Sequence, residues 1–65
     1  MDYKEKAEEL VDKYYLLLKE SKGYYDLPNA IQCALIAVDE ILNLLRILEK
    51  NNSYYLEVKQ EIKKL

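Results

Sequence analysis

The chain has 65 residues and a formal net charge of −2, and apolar residues make up 51% of it. This apolar fraction, with one glycine and one proline, excludes a disordered chain, and a single cysteine excludes a disulfide scaffold. With no histidine and one cysteine the chain cannot form a Ser-His-Asp triad or a structural zinc site, and its acidic balance argues against a nucleic-acid binder held by phosphate contacts.

The first predicted element is a helix over residues 3–20, preceded by Asp2 and Glu5 in an Asp variant of the capping box. Its apolar residues recur at spacings of three and four, which is the period of an amphipathic helix. They are Tyr3, Ala7, Leu10, Val11, Tyr14, Leu17 and Leu18. Gly23 suits the left-handed position that follows a helix end, so we expect it to terminate this element.

The second predicted helix covers residues 28–50 and begins with Pro28, which is favoured in a first turn. Its apolar residues occupy about half of the circumference when residues are placed 100° apart. We therefore expect this helix to be the central element, covered by the other two helices or partly by a second copy of the chain.

The third predicted helix covers residues 54–64, after the break Lys50–Ser53. Its apolar seam consists of Tyr55, Val58, Ile62 and Leu65. No segment shows the alternation of a strand. The sequence thus predicts one all-α domain over residues 1–65, a compact three-helix domain with a central, largely buried second helix.

Membrane and export segments are not expected. The N-terminal residues are charged, which is not typical of a secretory signal. The most apolar stretch, residues 30–48, is interrupted by Asp39, Glu40 and Arg46, whose charges would be costly inside a bilayer. An unpaired thiol fits a reducing compartment, so we expect a cytoplasmic protein.

Catalytic groups are not apparent either, and we expect no enzyme, no metal site and no cofactor. Asp39 and Glu40 are neighbours, and on a helix they point about 100° apart, so they cannot act on one substrate atom. Cys33 has no histidine to activate it, and we interpret it as a small apolar filler near the edge of the core.

An acidic stripe follows the first predicted helix. Its members are spaced to share one face, with Glu8 at the edge, and they are Asp2, Glu5, Glu9 and Asp12. This stripe either docks onto a basic channel of another protein or forms a solvated face that suits the helix N-terminus.

Tyrosine is the only aromatic residue type, and six of the seven tyrosines occur as doublets. Tyr14 and Tyr55 fall on predicted core seams, which places Tyr15 and Tyr54 toward the rim. Tyr24 and Tyr25 lie in a predicted loop. Exposed tyrosines are frequent at binding hot spots, so Tyr15, Tyr24, Tyr25 and Tyr54 are candidate partner-binding residues; the alternative is that each doublet caps a small core.

Ile36 and Ile47 project from the otherwise polar side of the second predicted helix, eleven residues apart. Single exposed apolar residues are normal, but two on one line suggest a contact strip for a partner or for a second copy of the chain. A homodimer is therefore left open.

Three segments carry a resemblance to small helical proteins encoded by phages and prophages of Bacteroidetes. They are KEKAEELV (Lys4–Val11), QCALIAVDEIL (Gln32–Leu42) and YLEVKQEIKKL (Tyr55–Leu65). The similarity touches all three predicted helices, and the small size and acidic balance resemble the type VI-B anti-CRISPR proteins. This resemblance implies a protein of the bacterial host cytoplasm that binds the RNA-guided RNase effector and perturbs its use of guide RNA. It supplies no motif from which functional residues could be assigned.

The leading hypothesis is therefore a non-enzymatic inhibitor that binds a CRISPR effector ribonucleoprotein, without sequence-specific nucleic-acid binding of its own. Two alternatives remain: a homo-oligomeric sponge for a signalling nucleotide, with tyrosines stacked on the bases, and a structural subunit of a helical assembly.

Overall fold

A computed structural model describes residues 2–65, and in that range the chain forms three α-helices and no strand. They are α1 (Tyr3–Lys22), α2 (Leu27–Ile47) and α3 (Ser53–Lys63). Each helix packs against the other two. The Cα radius of gyration is 12.4 Å, close to the roughly 11 Å of a compact chain of this length. The prediction of an all-α three-helix domain is confirmed.

Aspartate side chains cap the starts of α1 and α2, and the cap on α1 is the predicted one. Oδ1 of Asp2 accepts a hydrogen bond from the backbone N–H of Glu5 at 2.7 Å. Oδ1 of Asp26 accepts one from the backbone N–H of Asn29 at 3.2 Å, and Pro28 lies in the first turn of α2. Each carboxylate thereby satisfies a donor that the helix itself leaves without a partner.

Four boundaries differ from the prediction by one or two residues, among them the start of α2, at Leu27, and the end of α3, at Lys63. α1 continues to Lys22, where Gly23 takes the left-handed φ of 81° and donates its N–H to the carbonyl of Lys19 at 2.8 Å. α3 starts one residue early, at Ser53, whose N–H is bonded by the side-chain oxygen of Asn51 at 2.9 Å.

The end of α2 was predicted wrongly. The helix stops at Ile47 and not at Lys50. Glu49 adopts a left-handed φ of 56°, and the N–H of Lys50 donates to the carbonyl of Leu45 at 2.9 Å. This is the hydrogen bond that closes a Schellman-type helix end, and here it forms without glycine.

The core is built largely from small side chains. Within residues 2–65 the buried residues, all apolar, are Ala7, Val11, Ala30, Ala34, Val38, Val58 and Ile62. All three helices contribute to this cluster, and half-buried leucines, isoleucines and tyrosines pack around it. Alanine and valine at the contact faces let short helices approach closely, so a small domain reaches dense packing.

Burial of α2 is narrower than the predicted half-cylinder. Only Ala30, Ala34 and Val38 are buried on it, whereas Leu44 and Leu48 are exposed. The two neighbouring helices both pack on one side of α2 and do not enclose half of its circumference. Burial is also narrower than predicted elsewhere in the fold. Three residues assigned to core seams are about half exposed: Tyr3, Leu17 and Leu65. The fold thus leaves apolar side chains on its surface.

Candidate functional site

Tyrosines and lysines gather where α1 leads into α2. Tyr24 and Tyr25 are 56% and 55% exposed. The ring of Tyr25 stacks on that of Tyr15, with centroids 4.7 Å apart and planes tilted by 22°. Nζ of Lys19 lies 5.7 Å from the Tyr25 ring centroid, and Nζ of Lys22 lies 5.9 Å from that of Tyr24. We call these five residues the tyrosine–lysine cluster.

Two lysine contacts hold the loop that carries Tyr24 and Tyr25 in place. Nζ of Lys19 donates to the carbonyl of Gly23 at 3.3 Å, and Nζ of Lys22 pairs with Oδ2 of Asp26 at 3.1 Å. The hydrogen bond from Lys22, followed by that from the Asn29 N–H, lowers the pKa of Asp26; the same contact with Asp26 raises the pKa of Lys22. The exposed rings of Tyr24 and Tyr25 therefore lie on a turn that these two contacts stabilise, which we call the braced turn.

Tyr54 belongs to a different group of rings at the start of α3. Its centroid lies 5.4 Å from that of Tyr3 and 5.2 Å from that of Tyr55. It is half-buried and packs against the core, as Tyr15 also does. Of the four candidate tyrosines, Tyr15 therefore reaches the loop pair, whereas the ring contacts of Tyr54 are with Tyr3 and Tyr55.

The acidic stripe lies on the outward side of α1, and Asp2, Glu5, Glu9 and Asp12 are all exposed. Two members already have local partners. Asp2 caps the helix, and Oε1 of Glu9 is 3.2 Å from Nζ of Lys6. These contacts favour the interpretation of a solvated face.

Ile36 and Ile47 lie on the outer side of α2, 57% and 65% exposed, and three helical turns apart. Beside Ile36 is a shallow groove of about 220 Å³, and Cys33 forms part of its wall. Cys33 is half-buried there, at the boundary where a filler residue was predicted.

The predicted site residues thus fall on separate surfaces: the tyrosine–lysine cluster, the acidic stripe and the outer side of α2. The lysines were not foreseen as site residues. Lys19 follows Tyr15 by one helical turn, so its place beside the tyrosines could have been read from the spacing. The approach of Lys22 to the rings depends on how the loop folds back, which no spacing indicates.

In residues 2–65 no group of three or more cysteine, aspartate or glutamate side chains is arranged to hold a metal ion. None of the helices in that range has the length and hydropathy that a bilayer crossing needs. Comparison of the chain with protein-family models, with curated proteins and with solved structures finds no match.

Proposed function

We propose that this protein is a non-enzymatic inhibitor that binds another protein through its tyrosine–lysine cluster. The observation that carries the proposal is a pair of exposed tyrosines, Tyr24 and Tyr25, on a braced turn. Tyrosine offers a large contact area with few rotatable bonds, and it is enriched among hot spots. Because Asp26 and the stack on Tyr15 already fix the turn, less conformational entropy is lost on binding.

The proposed target is the RNA-guided RNase effector of type VI-B CRISPR systems, in the cytoplasm of a bacterial host. The support is the resemblance carried by Lys4–Val11, Gln32–Leu42 and Tyr55–Leu65, which implies that the inhibitor perturbs guide-RNA use. The tyrosine–lysine cluster lies outside all three segments. It is therefore the part of the chain where a specific activity could reside, and its two ammonium groups suit an acidic partner surface.

A pull-down with purified effector, combined with a target-RNA cleavage assay, tests the proposal. We expect the wild-type protein to bind and to suppress cleavage at micromolar concentration. The double change Tyr24→Ala and Tyr25→Ala should weaken binding by about 1–3 kcal/mol, since two hot-spot side chains are truncated. Helicity measured by circular dichroism should be unchanged, because both rings are more than half exposed.

Two control variants locate the interface. Leu48→Ala truncates a side chain that is also 55% exposed but lies at the end of α2 far from the cluster, so binding should be retained. Glu5→Lys with Glu9→Lys reverses half of the acidic stripe and should also leave binding intact. Undiminished cleavage with the wild-type protein would contradict the proposed function, and loss of binding in the charge-reversed variant alone would move the interface to the stripe.

A nucleotide sponge is the second candidate, and the stacked pair Tyr15–Tyr25 favours it. An exposed aromatic face flanked by Lys19 and Lys22 can stack on a base and attract a phosphate. A ligand that binds only the folded state raises its melting temperature. A rise in melting temperature with cyclic nucleotides, without effector binding, would support the sponge over the inhibitor.

A further inference from the structure

Four residues form a line along the outer side of α2: Ile36, Glu40, Asn43 and Ile47. All four are exposed, and their spacings of four, three and four keep them within an arc of about 60°. This arc lies opposite the buried face of α2, which consists of Ala30, Ala34 and Val38. We call these four residues the outer stripe.

The outer stripe has the same spacing when it is read in either direction. If a second copy of α2 runs antiparallel, with a twofold axis between residues 41 and 42, Ile36 of each copy faces Ile47 of the other. Glu40 of each copy then faces Asn43 of the other. A twofold interface requires this self-complementarity, because one surface must serve both copies.

The polar groups of the outer stripe match across that axis. Within residues 2–65 the Glu40 carboxylate makes no hydrogen bond or ion pair. Oδ1 of Asn43 accepts from Nη2 of Arg46 at 2.7 Å, which leaves the Asn43 amide N–H groups to donate. In the antiparallel arrangement they reach the Glu40 carboxylate of the second copy, with the Arg46 charge beside them. A parallel dimer in register would instead place Glu40 against Glu40.

The two flanks of the outer stripe are complementary as well. Antiparallel helices related by a twofold axis present the same flank to each other. On one flank, Asp39 of each copy comes within reach of Arg46 of the other, and this contact occurs twice per dimer. Oδ1 of Asp39 already binds Nζ of Lys59 at 2.7 Å, which leaves Oδ2 as the acceptor for Arg46 of the second copy. The other flank is apolar, with Ala37 and the exposed Leu44.

We propose that the protein forms an antiparallel homodimer through the outer stripe of α2. Dimerisation covers Ile36 and Ile47, which the three-helix fold leaves exposed, and it enlarges the small apolar core available to a chain of this size. The proposal does not depend on the inhibitor function, since no residue of the tyrosine–lysine cluster belongs to the outer stripe.

Charge reversal tests the proposal, with dimerisation measured by sedimentation equilibrium. Asp39→Arg places like charges in both Asp39–Arg46 contacts of a homodimer, and so does Arg46→Asp. Each variant alone should therefore dimerise at least tenfold more weakly than wild type. An equimolar mixture restores opposite charges at both contacts, and we expect it to dimerise nearly as well as wild type. Circular dichroism confirms that each variant folds, since Asp39→Arg also removes the contact with Lys59.

Disulfide trapping tests the antiparallel register. In a Cys33→Ser background, Ile36→Cys and Ile47→Cys should cross-link efficiently when mixed and slowly when oxidised separately. Like positions lie eleven residues apart, about 16 Å, across an antiparallel pair. Leu16→Cys is the control for random collision. A wild-type monomer at all concentrations, no rescue in the charge-reversed mixture, or faster self-linking of Ile36→Cys would overturn the proposal.

Discussion

Two residues with left-handed backbone end α1 and α2, and they differ in how well they suit that conformation. Gly23 has φ 81°, and a Cβ added to it would meet no atom of residues 2–65 within 4 Å. The cost of Gly23→Ala is therefore purely conformational, and we expect about 1 kcal/mol of lost stability. Glu49 has φ 56°, so Glu49→Gly relieves a strain. It should stabilise the fold by about 0.5 kcal/mol, because the greater freedom of glycine in the unfolded chain offsets part of the relieved strain.

Urea denaturation of both variants measures this pair of effects. The two substitutions should change the free energy of unfolding in opposite directions, so each is a control for the other. If any change in these loops were harmful, both variants would be destabilised. Stabilisation by Gly23→Ala, or destabilisation by Glu49→Gly, would contradict the left-handed assignments.

The Asp26–Lys22 pair gives the fold a defined pH dependence. Its contact lowers the pKa of Asp26 from 3.8 and raises that of Lys22 from 10.5. The stabilisation from Asp26 is therefore present above pH 3.8 and is lost as the pH falls below it, whereas that from Lys22 is lost as the pH rises above 10.5. Between these limits the wild-type protein should melt at a higher temperature than Asp26→Asn, which keeps an N-cap acceptor but not the charge.

Thermal melts of the two proteins across the pH range check this prediction. Other carboxylates contribute equally to both curves, so the difference in melting temperature isolates Asp26. A difference that stays constant far below pH 3.8 would show that the ion pair does not contribute.

At the scale of the elements, the sequence predicted where helices form better than what they bury. Spacings of three and four and the side chain of Asp2 placed the start of α1 correctly, and Pro28 placed the start of α2 to within one residue. The end of α2 was missed because Glu49 adopts a left-handed conformation that its residue type does not indicate. Burial was overestimated because periodicity identifies an apolar face but cannot show how many neighbours cover it.

Truncation of α3 side chains tests the core that the three helices share. Ile62 is fully buried, so Ile62→Ala should cost about 2–4 kcal/mol through lost burial and a residual cavity. Leu16→Ala removes a comparable volume from an exposed position on α1 and should change stability by less than about 0.5 kcal/mol. Urea denaturation gives both values, and equal costs would contradict the assigned core.

At the scale of the whole molecule, the candidate surfaces were only partly visible in the sequence. The exposure of Tyr24, Tyr25, Ile36 and Ile47 followed from a loop signal and from helical phase. Which of these residues share one surface depends on how the helices pack. That is why the stacking of Tyr15 on Tyr25, and the separation of Tyr54 from both, emerged only from the three-dimensional structure.

Folding of the whole molecule should require α3. A fragment of residues 1–50 loses Val58 and Ile62, both fully buried, and leaves the apolar faces of α1 and α2 open along one side. A domain of this size has a net stability of only about 3–5 kcal/mol, so the loss of two such side chains exceeds the margin. We expect the fragment to show reduced helicity per residue and no cooperative thermal transition by circular dichroism. Adding a peptide of residues 51–65 should restore the transition, because the missing face is supplied in trans. A cooperative melt of the fragment alone would show that α1 and α2 form an independent unit, with α3 only attached to it.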